Sequence, residues 1–255
     1  MQGFLAISLV IFVVASSVVG VRLLLLTRRT RQLPELLVGL GFATIGLLGY
    51  PIAVLSGFGR GSVADMHTDV WFAGVLVMDA GLACLYAFTA RVFRAGRVWA
   101  VWLVVALTGG SIVSGSGAWF ALHEALPSEL SFQVTRGWIL LGQIGSGAGF
   151  GWIGVESWLQ LRMAQRRSAL GMGDPVIANR FLLWVLFASF ATGMNVANSC
   201  ALLAGVSAAE NFWVQAVMAV FGLGAAVAMY LAFLPPAGYL RWLGATSRQG
   251  EPAHA

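Results

Sequence analysis

Seven apolar runs, each bounded by charged or turn-forming residues, divide the chain: Phe4–Leu26, Leu36–Leu55, Val70–Val92, Val98–Leu122, Trp138–Leu161, Phe181–Leu203 and Phe212–Leu234. About 20 apolar residues in helical conformation cross a bilayer core of about 30 Å, so each run predicts one span. Residues 1–246 read as a single seven-helix membrane domain, and 247–255 as a polar, frayed tail. After the seventh run Pro235 and Pro236 end the span. Tyr239, Leu240, Trp242 and Leu243 around Arg241 then fit either a short interfacial helix or an aromatic belt with no separate helix.

Composition agrees with that pattern. Hydrophobic residues make up 59% of the 255 positions and charged residues 10%, against about 25% charged in soluble domains. A soluble enzyme and a nucleic-acid binder are excluded, because the net charge of +5 comes from arginines in short loops between apolar runs. The fold class expected is an all-α integral membrane protein, a seven-transmembrane-helix bundle. Twelve arginines fall on one side (Arg28, Arg29, Arg31, Arg91, Arg94, Arg97, Arg162, Arg166, Arg167, Arg180, Arg241 and Arg248). Arg60 and Arg136 fall on the other, and Arg22 lies inside the first run. The positive-inside rule puts the rich side in the cytoplasm, with the N-terminus outside and the C-terminus inside. The first run is too long for a signal peptide, and its basic cluster follows it instead of preceding it. All fifteen basic Lys/Arg positions are arginine, which suggests a bacterium with a GC-rich genome and places the chain in its inner membrane.

Ionisable groups at membrane depth are the candidate chemistry. Asp79 lies near the middle of the third run with Tyr86 two turns on along the same face. It reads as a proton, cation or amine-anchoring site, or as hydrogen-bonding glue between helices. Glu156 and Arg22 lie nearer the cytoplasmic boundary, where they either snorkel or pair with each other. A layer of uncharged polar residues includes Ser111 and Ser114, Gln143 and Ser146, Thr192, Asn195, Asn198 and Ser199, and Gln215. It either lines a pocket open to the outside or ties helices together. The ligand-binding set read from the sequence is Asp79, Tyr86, Gln143, Asn195, Asn198 and Gln215. Gly145/Gly149 and Gly147/Gly151 in the fifth run, with the small residues of the fourth, predict a tight hairpin between those two helices. His67 with Asp65 and Asp69, and His123 with Glu124, form a weak metal possibility at the outer surface, matching no metal motif. Cys84 and Cys200 sit at different depths and read as small buried hydrophobes.

The seven-span, N-outside plan resembles rhodopsins and G-protein-coupled receptors in topology, with no shared motif. A retinal Schiff base is excluded because the chain has no lysine. No cofactor is expected, and no nucleophile–base pair or metal set points to an enzyme. The reading is a receptor or sensor that binds a ligand from the outer side and signals through a separate partner at the arginine-rich inner loops. A small-solute or proton-coupled transporter is the alternative, weakened by the lack of matched broken helices. A structural or assembly subunit of a membrane complex is a further one, and oligomerisation is compatible with all three.

Overall fold

The computed structural model describes residues 2–56, 67–123, 128–206 and 211–243, and the side chains of these except 2–6 and 128–132. Among them are α1 (Gln2–Thr30), α2 (Leu33–Leu55), α3 (Thr68–Phe93), α4 (Val98–His123), α5 (Ser128–Ala169), α6 (Pro175–Leu203), α7 (Phe212–Phe233) and the short α8 (Ala237–Trp242). No strand occurs among the described residues. Six of these helices, all of the long ones except α5, are long and apolar enough to cross a membrane. The protein is an all-helical, multi-pass membrane protein. Its outward faces agree, since Val10, Val14, Leu25, Trp102, Val105, Phe120, Val155, Val196 and Val220 are all exposed. A water-soluble monomer does not present so much apolar surface.

Helix α5 differs from the rest. It has 42 residues, about 63 Å at 1.5 Å per residue, twice the thickness of a bilayer core. Seven glycines between residues 137 and 154, together with Gln143 and Ser146, dilute its apolar stretch.

Each long helix packs against the next in sequence, and α7 returns to pack on α1, so the helices form a closed ring. Helix α3 also touches α5 across the interior. Tight links bring Arg28, Arg94, Arg166, Arg180 and Arg241 to one end of the bundle, called here the basic end. Gly96, at φ 75°, makes the turn between α3 and α4, a conformation that costs glycine nothing. Helix α6 opens at the same end on Asp174, whose carboxylate accepts from the Val176 N–H at 2.8 Å, with Pro175 in the first turn. At the opposite end the Asn211 side chain caps α7 by accepting from Trp213 and Val214 N–H. Of the two sequence expectations after the seventh run, the helix forms: Pro236 precedes α8 in extended conformation, and Tyr239, Leu240 and Trp242 lie on it. Both cysteines are free, and Cys200 is exposed, which corrects its reading as buried.

The interior has two tiers. In the half towards the basic end, Phe42 is ringed by Phe187 at 5.6 Å, Phe233 at 6.0 Å and Trp184 at 6.4 Å. Phe88 stacks on Trp184 at 5.5 Å. These rings come from α2, α3, α6 and α7, and they join Tyr86, Ile153 and Met229 in one core. In the other half, Ser111, Ser114, Ser146 and Asn195 make side-chain hydrogen bonds between helices, alongside aromatic pairs such as Phe12 with Tyr50 and Phe72 with Trp119.

Helix α2 carries a feature with no sequence signal strong enough to predict it. Residues Thr44–Gly49 form a π-helical turn inside it, directly before Tyr50 and Pro51. A proline removes one backbone donor, and its ring clashes with the carbonyl four residues back. The wider turn accommodates both effects.

Candidate functional site

Asp79 lies on the inner face of α3 with 5% of its surface exposed. The Ser111 hydroxyl of α4 donates to its Oδ1 at 2.5 Å. Its other oxygen, Oδ2, is buried and has no hydrogen-bond partner among the described residues. One helix pair further round, the Ser146 hydroxyl of α5 donates to Asn195 Oδ1 of α6 at 2.6 Å, while Asn195 Nδ2 donates to the Ala191 carbonyl at 2.8 Å. Ser114 of α4 donates to the Trp138 carbonyl of α5. Antiparallel neighbours thus meet through three polar contacts in one tier. Buried hydroxyls without partners occur in the same helices, at Thr108, Thr135 and Thr192.

The six residues read from the sequence as a binding set are distributed as follows. Asp79 and Asn195 are buried in the polar tier, and Gln143 and Asn198 are half-buried on α5 and α6 beside it. Gln215 is half-buried one turn into α7, where it has an interaction of its own. Tyr86 belongs to the aromatic tier: it is 2% exposed and packs on Gly149 of α5. A Cβ built on Gly149 would stand 2.3 Å from Tyr86 Cζ, so this glycine exists to admit that ring.

The glycine contacts also redraw the predicted α4–α5 hairpin. Gly142 against Ser114 and Gly117 against Trp138 do bring these helices close. Gly147 instead faces Asn195 of α6, and Gly145 and Gly151 face open space. The closest backbone approaches lie elsewhere, between α1, α2 and α3. A Cβ on Gly20 would stand 2.4 Å from the Ala43 backbone nitrogen, and one on Gly81 would stand 2.9 Å from the Gly41 carbonyl.

Towards the basic end, Glu156 is 3% exposed and does have a partner, though not Arg22. Arg94, in the α3–α4 turn, donates its Nε–H to Glu156 Oε1 at 2.7 Å, and the indole of Trp152 donates to the same oxygen at 3.1 Å. The guanidinium also lies over Trp99 at 5.7 Å. Arg22 is exposed on α1, a helix that packs mainly on α2 and α7, and it has no ion pair with Glu156 among the described residues. Arg94 escaped the sequence reading because it sits among loop arginines; the Trp152–Glu156 spacing of one helical turn was the available signal.

At the opposite end His123 joins α4 to the start of α3. Its Nδ1 lies 3.0 Å from the Trp119 carbonyl, and its Nε2 lies 3.3 Å from Thr68 Oγ1 and 3.4 Å from Asp69 Oδ1. The Trp119 indole donates to the same Asp69 oxygen at 2.8 Å. His67 is exposed and stands apart from this group. Among the described residues no three His, Cys, Asp or Glu side chains gather as a metal site. Asp65 and Glu124 lie outside the described residues, as do Arg60, Glu210, Arg248 and His254.

Two crevices open between α6 and α7, one edged by Tyr239 of α8 and the other floored by Phe42 and Phe187; neither is lined by a residue of the binding set. No family model, curated protein or solved structure matches the chain.

Proposed function

We propose that the chain crosses a bacterial inner membrane seven times, with its N-terminus outside, and works as a receptor or sensor. Helix α5 supplies the seventh span: its glycine-rich middle stands between α4 and α6 in the ring and buries its polar residues there. The arginines at the basic end support a cytoplasmic placement of that end. The ligand enters the polar tier from the outer side, and the response passes to a partner at the arginine-rich loops.

The observation that carries this reading is Asp79. Its carboxylate is buried at membrane depth with Oδ2 unpartnered, an arrangement that is expensive unless a cation, a proton or a ligand amine completes it. Asn195 and Gln143 add directional hydrogen-bonding groups across the tier. The test is thermal melting of the protein in nanodiscs against a panel of alkali cations and small primary amines. At least one should raise the wild-type melting temperature by several degrees, and Asp79→Asn should erase that shift while melting normally by itself. Identical responses in both proteins, or none in either, would end the role of Asp79 as a ligand contact.

The π turn in α2 favours a second reading, a small-solute or proton-coupled transporter, since such turns frequently lie at functional sites. Proteoliposomes loaded with a pH-sensitive dye separate the two. Solute-driven proton movement that Asp79→Asn abolishes assigns transport, and a stabilising ligand without flux assigns sensing.

A further inference from the structure

Near the basic end α6, α7 and α8 enclose a shallow groove. Leu183, Leu231 and Leu240 line its floor, and Asn179, Arg180 and Tyr239 its edge. The Tyr239 hydroxyl donates to Asn179 Oδ1 at 2.9 Å, which leaves the Asn179 amide N–H groups as donors beside the guanidinium. Arg180 is exposed and has no ion pair among the described residues, and no carboxylate lines the groove. One edge therefore offers positive charge and donors, while the floor is hydrocarbon. The enclosed space is about 10 Å³, room for one water, so any larger occupant lies along the groove and not inside it. Trp242, 78% exposed and 5.8 Å from the Tyr239 ring, flanks it, as aromatic side chains do at the headgroup level.

We propose that this groove binds an anionic phospholipid, with its phosphate at Arg180 and Asn179 and an acyl chain along the half-buried Leu231 and Leu240. A guanidinium fork matches the phosphate oxygens, and the leucine floor distinguishes a lipid from free phosphate. Arg166, Arg167 and Arg97 are also exposed at this end but outside the groove, so they supply the comparison for non-specific attraction. The inference is independent of the ligand reading of Asp79, because it uses only α6, α7 and α8.

The test is native mass spectrometry of the detergent-solubilised full chain, titrated with phosphatidylglycerol, phosphatidylcholine or glycerol phosphate. Phosphatidylglycerol should bind as one preferred molecule, ahead of phosphatidylcholine, and glycerol phosphate should not bind. Arg180→Gln should weaken phosphatidylglycerol about five-fold or more, and Arg166→Gln should leave it within two-fold. Leu231→Asn should weaken it with the charge untouched. Melting of each variant in phosphatidylcholine reports that the fold is retained. Equal losses in the two arginine variants, or glycerol phosphate binding as tightly as the lipid, would overturn the proposal.

Discussion

Single residues carry very different weight in this bundle, and their surroundings decide how much. Arg94 and Glu156 share one ion pair, yet their side chains are 36% and 4% exposed. When Glu156 is replaced by Gln, Arg94 can turn to water, and the amide still accepts from Trp152. When Arg94 is replaced by Ala, a buried carboxylate keeps only the indole. Arg94→Ala should therefore destabilise more than Glu156→Gln, by about 3 kcal/mol against about 1, read as melting in detergent. Equal losses would show that the carboxylate reaches solvent. Asp79 gives a parallel contrast: Asp79→Leu strands the Ser111 hydroxyl and should cost about 1–3 kcal/mol, while Asp79→Asn keeps that contact. The sequence displayed these groups as isolated charges in apolar runs, which is why Asp79 and Glu156 were legible as special. Their partners were not legible, because Ser111 comes from another helix and Arg94 from a turn, and nothing local distinguishes them from neighbouring serines and arginines. Tyr86 is two turns from Asp79 on the same face of α3 and packs in the aromatic core against Gly149.

Among elements, close approach of backbones organises α1, α2 and α3 more than any hydrogen bond does. Gly20 and Gly81 each face backbone atoms of α2, and backbone cannot rotate aside as a side chain can. Gly20→Val and Gly81→Val should each lower the melting temperature by several degrees, because the added groups force apart helices that small residues let meet. Gly109→Val, which meets nothing within 4 Å, should leave it unchanged. On α5 the same logic separates Gly149→Ala, which strikes the Tyr86 ring, from Gly151→Ala, which strikes nothing; the first should be destabilising and the second neutral. A regular spacing of small residues in the sequence could not distinguish these glycines, since the motif marks closeness but not the partner helix. Six of the seven apolar runs fall on helices long and apolar enough to cross a membrane, and they were legible because lipid imposes one demand on every outward face. Helix α5 runs past its predicted Trp138–Leu161 at both ends, to Ser128 and Ala169. Those extensions are polar turns that leave the apolar pattern while continuing the backbone hydrogen bonding. The π turn of α2 stayed hidden for a related reason: Pro51 announces a disturbance but not how the backbone absorbs it.

At the scale of the whole molecule, orientation is the claim most open to direct measurement. Reporter fusions at Arg29 and Arg166 should report cytoplasm, and fusions at Gly61 and Ser128 should report the outside; Gly61 and the Ser128 side chain lie outside the described residues, so here the arginine count alone makes the prediction. A cytoplasmic signal at Ser128 together with an external one at Arg166 would overturn the proposed orientation, and signals on the same side at both positions would end the seven-span reading. The ring itself has a consequence for how the protein is made. Its last seam joins α7 to α1, where Val19 is fully buried and Gly222 lies beside Ser8. Helix α1 leaves the ribosome about 200 residues ahead of α7, a delay of roughly 10–40 s at ordinary elongation rates. Throughout that interval one flank of α1 faces lipid with Ser8, which the finished bundle covers. Membrane quality-control proteases and chaperones sample nascent chains in just such a window, so slowing translation ahead of α7 is expected to shorten the lifetime of the chain without altering one residue of it.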